Sequence, residues 1–227
     1  MKTFGIISEG PTDQIIIENI LVGYFNDYDL PARIKYLQPL NDATDDDIRK
    51  YGGWKNVFEY CQSDYLIDAF EQNDYIVIQI DTDCCEEKHY DISRRDESGD
   101  ILSAEQLIKK VVEKFELVFT TSHQEKYQRF KDRLLFAICV EETECWLLPL
   151  YHDSKIKEST NNCIHKLNPV LTEKFGKYID KNNKSAALPY YGKFSKGFIK
   201  RKMIDAIYHD NISLTVFLDG IGIIDMG

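Results

Sequence analysis

The sequence predicts an α/β fold, with a mostly parallel sheet of about four strands flanked by helices and a lysine-rich, mainly helical C-terminal part. Three observations carry this. The stretch Tyr75–Asp83, YIVIQIDTD, holds a β-branched run (Ile76, Val77, Ile78, Ile80) of the kind that marks a strand covered on both faces. Similar short apolar runs stand at Phe4–Ile7 and Leu134–Val140, and Ala32–Leu37 alternates in the manner of a further strand. Between them lie longer stretches with helical periodicity, as strands joined by helical crossovers require.

Taken in order, Phe4–Ile7 is the first strand and runs into Ser8-Glu9-Gly10-Pro11-Thr12-Asp13. Gly10 suits a turn, Pro11 the approach to a helix, Thr12 the N-cap and Asp13 the first turn. Ile15, Ile16, Asn19, Ile20 and Gly23 then fall on one helical face. Ala32–Leu37 alternates as an edge strand does. Asn41–Gly53 is a polar loop whose Asp42, Asp45, Asp46 and Asp47 lack calcium-loop spacing and read as a solvated helix start. A helix over Trp54–Glu71 follows, with Val57, Tyr60, Cys61, Tyr65 and Phe70 expected inward. After the central strand, Cys84–Asp100 is a long charged loop. Cys84, Cys85 and His89 suggest zinc, but no second Cys/His pair at zinc spacing accompanies them. Ser103-Ala104-Glu105-Gln106 has the form of a capping box opening an amphipathic helix. Leu134–Val140 is the fourth strand, and it ends in Glu141-Glu142-Thr143-Glu144 before Trp146.

At 227 residues, 43% of them hydrophobic, the chain suffices for one domain with an appended helical part: 1–150 as the catalytic domain and 151–227 as a basic extension. No run approaches the ~20 apolar residues of a membrane span, and the N-terminus lacks a signal-peptide h-region. The six cysteines show no paired spacing and read as reduced thiols, which makes the cytoplasm the expected location. A net charge of −10 argues against a protein that coats nucleic acid unspecifically. The charge is uneven, however: residues 155–202 carry 12 Lys and Arg against 3 acidic residues. Lys193, Lys196, Lys200 and Arg201, interleaved with Tyr190, Tyr191 and Phe194, are the candidate nucleic-acid contacts, although aromatics at such spacing are more often core.

Three acidic strand ends make a constellation. Asp81 and Asp83, two residues apart, are expected to face one ligand at a strand's carboxyl end, where open α/β sheets bind ligands. Glu9 occupies the same kind of place after the first strand. Carboxylates crowded together repel, and a hard divalent cation removes that conflict. The candidate catalytic residues are Glu9, Asp13, Asp81, Asp83 and Glu144; the candidate ligands of Mg²⁺ or Mn²⁺ are Glu9, Asp81, Asp83, Glu142 and Glu144. Convergence requires Glu9 to stand close to the Asp81/Asp83 pair.

The order strand–EGxxD–helix, strand–DxD, strand–ExExW resembles the TOPRIM fold, most of all the small stand-alone TOPRIM proteins and the OLD-type nucleases of bacterial phage defence. Residues 4 to about 150 carry the resemblance. It implies metal-dependent cleavage of phosphodiester bonds in DNA or RNA, tRNA included, by a toxic effector held in check by a separate ATPase of ABC or SMC type. Under it, Glu9 is a metal ligand or general acid/base, Asp81 and Asp83 hold the metal, Asp13 supports the first loop, and Glu142 and Glu144 complete a second metal site. The chain has no Walker A loop, so an ATPase would be another polypeptide. A homodimer is compatible with this scheme, and a membrane partner is not expected. The alternatives are a non-catalytic TOPRIM-like subunit of an ATPase complex and a DxD nucleotide-sugar glycosyltransferase.

Overall fold

The computed structural model describes residues 1–40 and 53–226. Asp42, Asp45, Asp46 and Asp47 lie outside the described residues. Four strands, β1 (Phe4–Ile7), β2 (Ile34–Gln38), β3 (Tyr75–Asp81) and β4 (Leu134–Cys139), form one sheet in the order β2-β1-β3-β4, every pair parallel. The sequence-predicted α/β class and four-stranded sheet are therefore what the chain forms. Chain direction across the sheet reverses between β1 and β3. That is the topological switch point, where the connections leave in opposite directions and open a crevice at the carboxyl ends.

The period-2 alternation of the strands sorts their side chains onto two faces. Phe4, Ile6, Val77, Leu135 and Ala137 join a core with α1 (Pro11–Phe25) and the C-terminal helices. Ile76, Ile78, Ile80 and Ile138 face the other way, toward α2 (Trp54–Gln62), α3 (Tyr65–Gln72) and α4 (Ala104–Ser122). Burial of each such side chain contributes roughly 1.5–3 kcal/mol. The short helix α5 (Gln124–Phe130) leads into β4. Beyond β4, a 3-10 segment (Thr143–Leu150) is followed by α6 (Cys163–Phe175), α7 (Leu188–Phe194), α8 (Arg201–Ile207) and α9 (Ile212–Ile221). The core on this side runs unbroken from Phe4 to Phe217, so the C-terminal helices share the buried cluster of the sheet. None of the described helices is long and apolar enough to cross a membrane.

Several expectations are corrected. Trp54–Glu71 is two helices, broken where Ser63 turns extended and its hydroxyl donates to the Tyr60 carbonyl. Tyr65, expected inward, starts the second helix and is 69% exposed. The N-cap of α1 is Gly10, with Pro11 in the first turn, in place of Thr12. Cys145 and Cys163, read as free thiols, are disulfide-bonded. Their separation of 18 residues shows no pattern in sequence, because it is the fold that lays the start of α6 against the 3-10 segment. Tyr191 and Phe194 are fully buried core rather than a base-stacking surface, and only Tyr190 of the three stays half-buried.

Candidate active site

The carboxyl ends of β1 and β3 place the acidic residues. Glu9 follows β1 and its Oε1 accepts a 2.7 Å hydrogen bond from the backbone N–H of Asp81, the last residue of β3. Asp13, in the first turn of α1, accepts from the backbone N–H of Gly10, which closes half of a capping box. Asp83 lies in the turn after β3 and not in the strand, so it shares the pocket with Asp81 by the path of that turn rather than by strand alternation. Its backbone N–H donates to the Glu141 carbonyl. Glu9, Asp13, Asp81 and Asp83 all line one cavity of about 400 Å³, together with Gly10, Trp54 and Lys184.

Gln79 ties the two strand ends together, and sequence reading missed it. Its Oε1 accepts from the Glu9 backbone N–H at 3.0 Å, while its Nε2 donates to Asp81 Oδ1 at 2.8 Å and to Thr143 Oγ1 at 2.9 Å. The signal was present: a fully buried amide in an apolar strand, two residues before Asp81 and so on the same face. Thr143 also donates to Asp81 Oδ1.

The third acidic strand end forms the far wall. Glu144 is fully buried; its Oε1 accepts from the Tyr191 hydroxyl at 2.6 Å and its Oε2 from Lys184 Nζ at 2.7 Å. Glu142 Oε2 lies 3.5 Å from the same ammonium, and its Oε1 accepts from the Ile164 N–H. Glu141 turns away to pair with Arg94 at 3.1 Å, its backbone in the left-handed region at φ 69°. Lys184 is the second residue that sequence reading did not single out. In a run of lysines it reads as one more solvated charge, yet it stands inside the acidic cluster.

The electrostatics follow from six carboxyl groups around one ammonium. Burial, with the charges of Asp13 and Asp83, pushes Glu9 up to about 8 against the pull of the Asp81 N–H. Burial and the charge of Glu144 push Asp13 up to about 7. Asp81 is held well above the carboxylate range by burial and by Glu9, and Glu142 is raised by burial and by Glu144. Burial pulls Lys184 down, but Glu144, Asp81, Asp13 and Glu142 outweigh it and hold the ammonium charged. The cluster is thus short of positive charge and keeps protons in its place.

That shortfall and an all-oxygen donor set fit a hard divalent cation. As they stand, the side chains do not form a closed shell: among the described residues no group of three or more His, Cys, Asp or Glu has a metal-holding arrangement. This includes Cys84, Cys85 and His89, of which Cys85 is buried and His89 exposed. Of the candidate nucleic-acid contacts, Lys193, Lys196 and Lys200 line a separate cleft, whereas Arg201 is held by Asp205 at 2.8 Å and by the Tyr24 carbonyl. A hollow of about 460 Å³ between α2 and α4 gathers no comparable acidic cluster: its charged lining is Lys55, Glu59, Asp91 and Lys114, of which Lys114 and Asp91 pair at 3.8 Å. The chain matches no protein-family model, and no match is found among curated proteins or solved structures.

Proposed function

We propose that this chain is a divalent-metal-assisted phosphodiesterase of the TOPRIM kind, acting on nucleic acid. The observation that carries the reading is the 2.7 Å contact between the Glu9 carboxyl and the end of β3, which joins two acidic strand ends at the switch point of the sheet. Glu9, Asp81 and Asp83 would hold Mg²⁺ or Mn²⁺, and the ion would supply the positive charge the cluster lacks and polarise a phosphodiester. Asp83, exposed in its turn, is the side chain whose rotation would complete the shell. Asp13, with its carboxyl raised to about 7, is poised near neutrality to take a proton from water or return one to a leaving oxygen. Lys184 lines the same cavity, and its ammonium would be available to neutralise a phosphate oxygen there. Glu144, itself held by the Tyr191 hydroxyl, fixes that lysine. With no phosphate-binding loop for ATP in the sequence, control by nucleotide hydrolysis would come from a separate ATPase.

The test is incubation with plasmid, single-stranded DNA and total tRNA in Mg²⁺, Mn²⁺ or EDTA, beside Glu9→Gln and Asp81→Asn. Metal-dependent cleavage that drops by about 100-fold or more in both variants supports the proposal. Equal cleavage by Glu9→Gln, or none by the native chain with either metal, overturns it. A second reading, a non-catalytic subunit of an ATPase-containing assembly, is favoured by one observation: Lys184 already occupies the space between Glu142 and Glu144 that a second ion would take. Failure of the protein to bind Mn²⁺ by calorimetry would select that reading.

A further inference from the structure

On a protein of net charge −10, one cleft of about 300 Å³ is lined by four lysines and no carboxylate. Lys174 reaches it from the last turn of α6, Lys193 from α7, Lys196 from the 3-10 segment that follows, and Lys200 from the residue joining that segment to α8. Its apolar lining includes Tyr151 and Phe175, both half-buried, with ring centroids 6.3 Å apart. Lys174 Nζ lies 5.0 Å from the centre of the Tyr151 ring, so the aromatic surface also positions the charge. The four lysines are solvent-exposed, and none of them takes part in an ion pair found among the described residues.

We propose that this cleft is a second, non-catalytic site that holds the sugar–phosphate backbone and a base of an unpaired nucleic-acid strand. Four unopposed ammonium groups select a polyanion, and aromatic rings among them add sequence-tolerant stacking. The rings favour an unpaired strand: a base can stack on them only when its face is not already covered inside a duplex, and a cleft of about 300 Å³ has room for about one nucleotide. Helix α7 joins the cleft to the acidic cavity, since Leu188 lines the cavity and Lys193 the cleft. Five residues separate them, which at about 100° each leaves the two side chains about 140° apart around the helix, so cavity and cleft lie on different faces of α7. A strand seated in the cleft would have to pass around α7 to enter the cavity. That path rests on the phosphodiesterase reading; binding in the cleft does not.

The test measures binding of labelled dT and rU oligonucleotides of ~12 nucleotides, and of a duplex of the same length, by fluorescence anisotropy in EDTA. Between about 50 and 200 mM salt, Lys196→Ala/Lys200→Ala should bind the single strands roughly tenfold more weakly and lower the salt slope by about 1.4. Phe175→Leu should weaken binding severalfold without changing the slope. Lys109→Ala/Lys110→Ala, on the exposed face of α4, should leave both unchanged. A preference for dT over rU, or the reverse, assigns the strand as DNA or RNA. Duplex binding as tight as single-strand binding overturns the proposal, as does an unaltered slope in the Lys196/Lys200 variant or preference for anionic lipid vesicles over both oligonucleotides. A slope change without any metal-dependent cleavage leaves the cleft standing and removes the phosphodiesterase reading. Glu9-dependent cleavage with an unaltered slope does the opposite.

Discussion

Replacing Glu9 by Gln should make the metal-free protein more stable, by an amount that grows with pH. The glutamine keeps the oxygen that accepts from the Asp81 N–H, and its new amide donors face the carboxyls of Asp13 and Asp83. In the unfolded chain the Glu9 carboxyl ionises at its ordinary 4.5, whereas in the folded protein it holds its proton to about 8. A raised carboxyl gives its full contribution to stability below the lower value, and loses it as pH climbs toward the upper one. Each pH unit inside the window costs about 1.4 kcal/mol, so at pH 7 the native residue has given up about 3 kcal/mol that glutamine does not. For a chain of this size that is roughly 6–12 °C in melting temperature. The measurement is a thermal melt of both proteins in EDTA from pH 4.5 to 8, with the gap expected near zero at the acid end and widest at pH 8. Excess Mn²⁺ should raise the native protein and narrow the gap, because a bound ion at ~100 times its Kd adds about 2.7 kcal/mol. A Glu9→Gln protein that melts below the native one across the range, or a gap independent of pH, refutes the account of a charge-starved cluster.

Three further outcomes are expected. Lys184→Met leaves Glu144 and Glu142 without their shared cation and should cost about 3 kcal/mol in urea unfolding at pH 8, with the deficit shrinking toward pH 4.5 as the raised carboxyls of Glu142, Asp13 and Asp81 take up protons. A pH-independent loss would mean lost packing alone. Gly23→Ala places a methyl 1.7 Å from the Phe198 carbonyl oxygen, so α1 must part from the segment before α8; a loss of about 3 kcal/mol is expected in the same assay. Cys163→Ser opens a cross-link spanning 18 residues and should lower stability by about 3 kcal/mol, an effect absent when native and variant proteins are compared under reductant.

The strands and their acidic ends were legible because both are written locally. A run such as Ile76-Val77-Ile78 fits few environments other than a covered strand, and Glu9, Asp81 and Glu142 each stand just past such a run. Gln79 was legible in principle, as the one polar residue inside the central strand. Lys184 and Tyr191 were not, because nothing adjacent to them marks burial. Their partner, Glu144, lies 40 and 47 residues away, and only the packing of α7 against α1 brings them to it. The disulfide and the break at Ser63 were hidden for the same reason: tertiary contact, not spacing, decides them. The turn geometry that delivers Asp83 is a smaller case, since strand alternation put it in the right cavity by the wrong route.

The bond from Tyr191 to Glu144, with Lys184 beside it, has a bearing on how this polypeptide can be dissected. A fragment ending near residue 150 would keep every acid of the cavity and forfeit Lys184, the cation that lines it among the described residues. Such a truncation would not be a smaller version of the same centre but an electrically different one, with a naked hydrophobic flank where α7 and α9 now lie. Grafting, domain-swapping or partial-expression experiments should therefore treat the tail as part of the acidic cavity and keep these helices with the sheet.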